Sequence, residues 1–292
     1  MSDPTKTNYS INYKRIIHSL SKKYLPGFLK YSIRILYLNY INAQSSSPFI
    51  INENQNPNFV SLSNNNKFII SKDAAFDFKS VFLEDHQECS AFIELAKNAS
   101  VFFDVGASRG VYSNLFCKLS DSNIAIAFEG SPESCISIQK LSDLNQNNDK
   151  LQIVEKMIGD KNYTDHFSFE NCGYVQIVAN SSKSRIRRDV ISIDSWIDRN
   201  KKVPDLIKID VEGFEYEVLK GCKNLLEKNR PDILLELHLS YLEKRKINPE
   251  KVTDLILNSN YQFFDLFKKV VTPRQLINTF NQRTHIICSP KI

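Results

Sequence analysis

The segment Asp104-Val-Gly106-Ala107-Ser108-Arg-Gly110 carries the densest chemical signal in this 292-residue chain. Gly106 and Gly110 permit a tight turn and a close approach of backbone to ligand. A helix starting directly afterwards would present unpaired N–H groups to that ligand. Asp104, at the tip of the preceding apolar run, is an acceptor suited to a cationic group. Nineteen residues past Gly110 the next apolar run ends in Glu129. An acid at that place can accept both hydroxyls of a ribose. The combination points to an adenosine-containing ligand. A dinucleotide loop would carry a central glycine where Ser108 stands, and the acid before the first glycine opposes a diphosphate. A ligand bearing a sulfonium and an amino acid suits the loop better.

The same five residues, Gly106-Ala-Ser108-Arg-Gly110, also spell the nucleophile elbow of an α/β-hydrolase, with Asp210 and His238 following in the appropriate chain order. That alternative leaves Asp104 and Glu129 without a role. It also needs several strands ahead of residue 101, where few suitable runs exist.

On the acceptor side, Asp210 and Glu212 follow the apolar run Leu206–Ile209 and face the expected ligand edge. Glu212 can act as a general base or hold a substrate hydroxyl; Glu215 reads as an acid near a helix start. Glu236 and His238 share parity at the end of Ile233–Leu237, so they share a face. A histidine there can take a hydroxyl proton near neutral pH. His18, His86, His166 and His285 have no comparable context. The acids could orient a sugar diol through a divalent cation, but no compact His/Asp spacing requires one, and no metal is expected.

These groups need a scaffold that brings strand ends together. Short apolar runs at Val101–Phe103, Ile124–Phe128, Gln152–Met157, Leu206–Ile209 and Ile233–Leu237 alternate with helical stretches at 112–119, 132–144 and 215–228. That alternation predicts right-handed βαβ units, hence an α/β parallel sheet covered on both faces. Ligands in such a sheet lie at the carboxyl ends of the strands. A helix is expected over 84–98, β-like stretches at 68–70 and 76–82, and late strands at 261–266 and 284–288 that add an edge hairpin.

Five motifs occur in order: Asp104-Val-Gly-Ala-Ser-Arg-Gly110, Glu129-Gly-Ser-Pro132, Ile158-Gly-Asp160, Val190-Ile-Ser-Ile-Asp194 and Ile207-Lys-Ile-Asp210-Val-Glu212-Gly213-Phe-Glu215. With them the chain resembles the FkbM-type methyltransferases, from about Glu84 to at least His238. The last motif is the most specific. The resemblance implies a Rossmann-like, seven-stranded class I methyltransferase sheet with helices on both faces. It implies methyl transfer from S-adenosylmethionine to a hydroxyl, usually on a sugar or polyketide. By position, Asp104 and the Gly106–Gly110 backbone would hold the methionine part, Glu129 the ribose, and Ile158 and Asp160 the adenine, while Asp210 is expected beside the methyl donor as both a cofactor-binding and a catalytic residue. Ser108-Arg109 stands where the family often has Asn and a small apolar residue. A scaffold protein that keeps the fold without catalysis is the rival reading.

Bulk properties narrow the partners. Hydrophobic residues make up 42% and charged residues 24%, a globular composition. The net charge of +5 is concentrated before residue 40, where seven cations oppose Asp3 alone and leave the rest near −1. Nucleic acid is therefore not an expected partner. Residues 11–42 read as a basic amphipathic helix that packs on the domain or meets an anionic membrane, and 43–66, rich in Asn, Ser and Pro, as a linker. The expected division is a helical basic extension and linker at 1–66 and a catalytic domain at 67–292. The aromatic residues Phe167, Phe169 and Tyr174 and the cations Arg185, Arg187 and Arg188 are expected over the cleft. Six scattered cysteines without a C-x-x-C pair suggest a reduced, cytoplasmic chain. No run reaches the roughly 18 apolar residues of a membrane span. The expected acceptor is a small or lipid-linked glycan, with contact at the membrane surface through residues 11–42.

Overall fold

The computed structural model describes residues 49–52, 59–62, 64, 66–69, 81–82, 85–169, 175–176, 186–279 and 284–291. The expected helix over 11–42, most of the β-like stretch at 76–82, and Tyr174 and Arg185 lie outside them.

Three strands open the described chain: β1 (Phe49–Asn52), β2 (Phe59–Leu62) and β3 (Lys67–Ile69) form an antiparallel sheet in that order. This corrects the linker reading of 43–66. Composition there suggested loops, yet Val60 and Leu62 share parity, and both are buried in the core with Phe68. Asn145 ties β3 to the main body by donating to the Ile69 carbonyl and accepting its N–H. A boundary at residue 67 would cut through this sheet.

The chain continues through α1 (His86–Ala96), β4 (Val101–Val105), α2 (Val111–Leu119), β5 (Ile124–Phe128), α3 (Pro132–Asn145) and β6 (Leu151–Val154). A small sheet follows, made of β7 (Met157–Ile158), β8 (Tyr163–Phe169), β9 (Val175–Gln176) and β10 (Ile186–Ile191), ordered β7-β10-β8-β9. Then come α4 (Ile193–Asn200), β11 (Leu206–Ile209), α5 (Glu215–Lys220), β12 (Asp232–Leu237), α6 (Leu239–Lys244), α7 (Glu250–Asn258), β13 (Tyr261–Phe264), β14 (Val270–Val271), α8 (Pro273–Thr279) and β15 (Thr284–Pro290).

The main sheet has the order β14-β13-β15-β12-β11-β4-β5-β6. Strands β12, β11, β4, β5 and β6 run parallel, and β15 inserts antiparallel between β12 and β13. The late hairpin is therefore present, with the last strand on its inner side. The chain builds outward from β4 through β6 and then returns to lay β11 on β4's other flank. That reversal is the switch point, where the strand ends part and leave room for a ligand.

Successive residues of β4 feed opposite faces. Phe102 packs with Phe92 and Phe116 beneath α1 and α2, with ring centroids 5.0 and 5.2 Å away. Phe103 packs edge-on against Phe128 and Trp196 on the other face, at 5.3 and 5.2 Å. Each such fully buried ring contributes roughly 1.5–3 kcal/mol.

The helix expected over 215–228 ends at Lys220. A Cβ on Gly221 would fall onto the Gly159 carbonyl, so the helix end packs directly on the loop after β7. A wider helical turn at Leu225–Asn229 resumes beyond it. No described helix is long and apolar enough to cross a membrane. The five described cysteines are buried and free.

Candidate active site

After β4 the backbone enters the left-handed region at Gly106, Ser108 and Gly110. A Cβ on Gly106 would fall onto the Asp210 carbonyl oxygen at the end of β11. Only glycine fits both that conformation and that approach. The N–H groups of Gly106, Ala107, Ser108 and Gly110 are already committed. Those of Gly106 and Ala107 donate to the Phe128 carbonyl at 3.0 and 3.1 Å, and that of Gly110 to the Ala107 carbonyl at 2.7 Å. The Ser108 N–H donates to Glu129 Oε2 and the Ser131 N–H to Glu129 Oε1, both at 2.8 Å. Such a loop is no phosphate cradle: its donors point inward and a carboxylate closes it.

Glu129 is 8% exposed at the tip of β5. Burial outweighs its backbone hydrogen bonds and pushes its pKa up to about 7. Each oxygen accepts one N–H from the chain and retains capacity for a second donor, as a pair of ligand hydroxyls would require. Asp104 is buried at the tip of β4, and its Oδ2 accepts both the N–H and the hydroxyl of Ser113 at 3.1 and 2.6 Å. It thus anchors α2 to the strand, leaving Oδ1 as the oxygen for any ligand contact. Burial raises its pKa to about 6 against the lowering effect of Lys208. This row of strand-tip acids fits a ligand with a diol and a cationic centre, and would repel a diphosphate.

A second cluster of charged side chains is built at the ends of β11 and β12. Past Asp210 the chain turns through Glu212, a non-glycine residue at φ 51°, and Gly213 at φ 96°. A left-handed Glu beside a strand tip is the kind of strain that functional sites hold. The His238 Nδ1–H donates to Glu215 Oε1 at 2.9 Å, and that oxygen also accepts the Gly213 N–H at 2.9 Å. The other ring nitrogen faces Glu212 Oε2 at 3.2 Å, Glu236 Oε1 at 3.4 Å and Asp210 Oδ1 at 3.9 Å. Burial disfavours a charge on His238, but Glu215 and Glu236, helped by Asp210 and Glu212, raise its pKa to about 11. It is an imidazolium at neutral pH. Burial pushes Glu212 up to about 7, with Asp210, Glu236 and Glu215 adding to the rise and His238 opposing it. Glu215, expected near a helix start, is fully buried as the orienter of His238.

The structure therefore brings Asp210, Glu212 and His238 together and sets the glycine loop and Glu129 beside them. Ile158 is buried on β7, and Asp160 pairs with Lys220 at 2.9 Å. Arg188, expected over the cleft, is committed elsewhere, to the Gly130 carbonyl at 2.8 Å and Glu155 at 3.0 Å. The hydrolase arrangement has no support, because both nitrogens of His238 face carboxylates and not Ser108. Sequence reasoning missed Glu88, Lys208 and His285. Lys208 lies 2.8 Å from Asp210 and 3.6 Å from Glu88, and Glu88 lies 3.0 Å from His285. A lysine inside the buried run Leu206–Ile209 was the available signal. His285, set aside for want of context, stands opposite Glu236 in the β12–β15 register.

Two overlapping triads, Glu88–Glu236–His285 and Asp210–Glu236–His238, offer atoms within 4.8 Å of one another and have the chemistry of cation ligands. Lys208 and the imidazolium of His238 already supply positive charge beside them, and we assign no metal there.

A family model described as the methyltransferase FkbM domain matches residues 104–263. The hexuronic acid methyltransferase AglP of Haloferax volcanii is 27% identical over 172 residues, covering 56% of this chain and 64% of that protein. The chain thus spans slightly under two thirds of that relative's length. Among solved structures, methyltransferase FkbM from Methylobacillus flagellatus superposes with a TM-score of 0.43 at 17% identity, covering 64% of this chain and 43% of that one. An O-methyltransferase from Bacillus cereus in complex with SAH gives a TM-score of 0.43 at 13% identity, covering 71% of this chain and 81% of that one.

Proposed function

The chain belongs to the FkbM methyltransferase family, and from that premise we propose that it methylates a hydroxyl of a sugar within a glycan. S-adenosylmethionine is the methyl donor, and its sulfonium supplies the electrophilic methyl group. Glu129 receives the ribose hydroxyls. The Gly106–Gly110 loop, with Ala107 and Ser108, backs the ligand while Asp104 and Asp210 face its cationic methionine end. Ile158 and Asp160 border the adenine.

The observation that carries the reading is the contact between the two halves of the site. Gly106 of the donor loop lies against the Asp210 backbone, and Glu212 follows two residues later beside an imidazolium. The chain's main task is to hold an acceptor oxygen in line with the methyl group. Glu212 is the general base: a carboxyl poised near neutrality accepts a proton efficiently at the pH where it works. His238 already holds its proton, so it orients Glu212 through its second ring nitrogen. Tyr241, 39% exposed and 5.9 Å from the His238 ring, offers a surface on which a sugar ring can stack. The relative that acts on hexuronic acids supports an acidic sugar as the first class to try. The basic stretch before residue 40 extends the proposal to lipid-linked acceptors at a membrane face in the cytoplasm.

The test uses methyl-labelled S-adenosylmethionine with a panel of nitrophenyl glycosides that includes the glucuronide, read by mass spectrometry. A methyl ether on a sugar hydroxyl is expected. Glu212→Gln should lower kcat about 100-fold or more while leaving donor affinity within about twofold. Donor binding without methylation of any sugar by the wild type would overturn the sugar assignment. Failure of the well-folded protein to bind the donor in calorimetry would favour a scaffold role instead.

A further inference from the structure

Six buried or half-buried charges close into a ring behind the acceptor carboxylates. Asp210 pairs with Lys208 at 2.8 Å, and Lys208 with Glu88 at 3.6 Å. Glu88 pairs with His285 at 3.0 Å, and His285 approaches Glu236 at 3.8 Å. Glu236 meets His238 at 3.4 Å, and His238 returns to Asp210 at 3.9 Å. The signs alternate around the whole circuit. The register explains the geometry. Lys208 on β11 with Asp210 just past its end, Glu236 on β12 with His238 just past its end, and His285 on β15 follow one parity on neighbouring strands, and α1 lowers Glu88 onto them. Only Asp210 is appreciably open, its side chain 26% exposed against 14% or less for the other five.

Such an assembly has no advantage for stability. Desolvating ions costs several kcal/mol each, and well-packed apolar residues of similar size are often as good or better. What it supplies is a fixed field and fixed side-chain directions at the place where charge moves. Glu88 and His285 are held charged by their neighbours. Burial works against Glu88, yet Lys208 and His285 lower its pKa to about 2. Burial also works against a charge on His285, yet Glu88 and Glu236 raise its pKa. The same alternation gives both possible cation triads an internal counter-charge.

We propose that Glu88 and His285, which lie outside the family-matched stretch and do not border the acceptor, are positioning residues for methyl transfer. Glu88 acts through Lys208 on Asp210, and His285 acts through Glu236 on His238. The site they serve is the one proposed above, but the ring itself can be tested without any acceptor.

The experiment is histidine-detected NMR on the full chain, following the imidazole nitrogens of His238 and His285 from pH 6 to 9. His238 is faced by Glu215, Glu212, Asp210 and Glu236, and His285 by Glu88, Glu236 and Asp85. Both should remain imidazolium through neutrality. Glu88→Gln should let His285 lose its proton at lower pH and should also shift the His238 signals, although Glu88 does not touch His238. His285→Gln tests the circuit from the other side and should move His238 as well. Glu88→Asp should restore much of the wild-type pattern. His238 signals unchanged in both Gln variants would overturn the ring. So would imidazoles that give up their protons to added zinc or magnesium ions, which would identify a metal site instead. With the nitrophenyl glucuronide as probe, either Gln variant should lower kcat about 10- to 100-fold with little change in donor affinity. An unchanged kcat alongside shifted NMR signals would remove the catalytic role and keep the ring. Absence of any wild-type activity would count against the sugar assignment alone.

Discussion

The two halves of the cleft are held by different means. On the proposed donor side, backbone does the holding: three left-handed residues, three inward N–H groups, and a Glu129 clasped by two more. On the proposed acceptor side, side chains do it: His238, Lys208 and His285 lock five acids, Glu88 on α1, Asp210 and Glu212 in the turn after β11, Glu215 at the start of α5 and Glu236 on β12. A backbone site is set by local conformation and changes little among proteins that share it. A side-chain site depends on residues far apart in sequence, and can be retuned one residue at a time. The donor half therefore suits a constant ligand and the acceptor half a variable one.

Gly106 is where the halves meet, so its substitution should erase the distinction and give the largest effect. Gly106→Ala forces a left-handed alanine against the backbone carbonyl of Asp210, a residue directly after central strand β11 whose N–H is bonded to Val105. We expect a stability loss of about 3 kcal/mol or more and donor binding below detection by calorimetry. Near-normal binding by this variant would mean that the loop and β11 do not share one ligand edge.

Glu129→Ala separates the halves. It removes the proposed ribose acceptor and leaves the Ser108 and Ser131 N–H groups without their partner. Donor affinity should fall about 10- to 100-fold, while the KM for a glycoside acceptor stays within about twofold. An acceptor KM that rises in parallel with donor Kd would show the halves to be one cooperative unit.

The same contrast explains what could be read from the sequence. The donor loop was legible because its needs are local: glycine where φ is positive, acids at strand tips, and a helix directly after. That β4, β5, β6, β11 and β12 run parallel followed from alternating apolar runs. The charged ring was not legible, since Glu88 and His285 are separated by nearly the whole domain and meet only through register. Glu236 and His238 could be paired by parity, but the charge state of His238 could not be read, because Glu215 reaches it from the start of α5. The strands at 49–52 and 59–62 were masked by Asn and Ser. In so short a strand the burial of Val60 and Leu62, two residues apart, is too brief a signal to outweigh composition.

The smallest expected effect is a pH dependence of stability that belongs to the donor half. Glu129 has an ordinary carboxyl pKa near 4.5 when exposed and about 7 when folded, mainly through burial. Between those values the folded chain holds a proton that the unfolded chain has released. Acidity therefore favours the folded state, and this contribution, complete below about pH 4.5, is lost as pH rises through 7. Glu129→Gln cannot titrate, so the stability of the wild type relative to the variant should fall by about 1 kcal/mol between about pH 6 and pH 8. Denaturant melts of both proteins at the two pH values measure it. Glu212→Gln should give a similar sign but a smaller slope, because Glu212 is partly open and water screens the effect of its burial. A steeper slope at Glu212 than at Glu129 would mean that the acceptor half, and not the backbone-clasped donor half, is the more tightly closed to water.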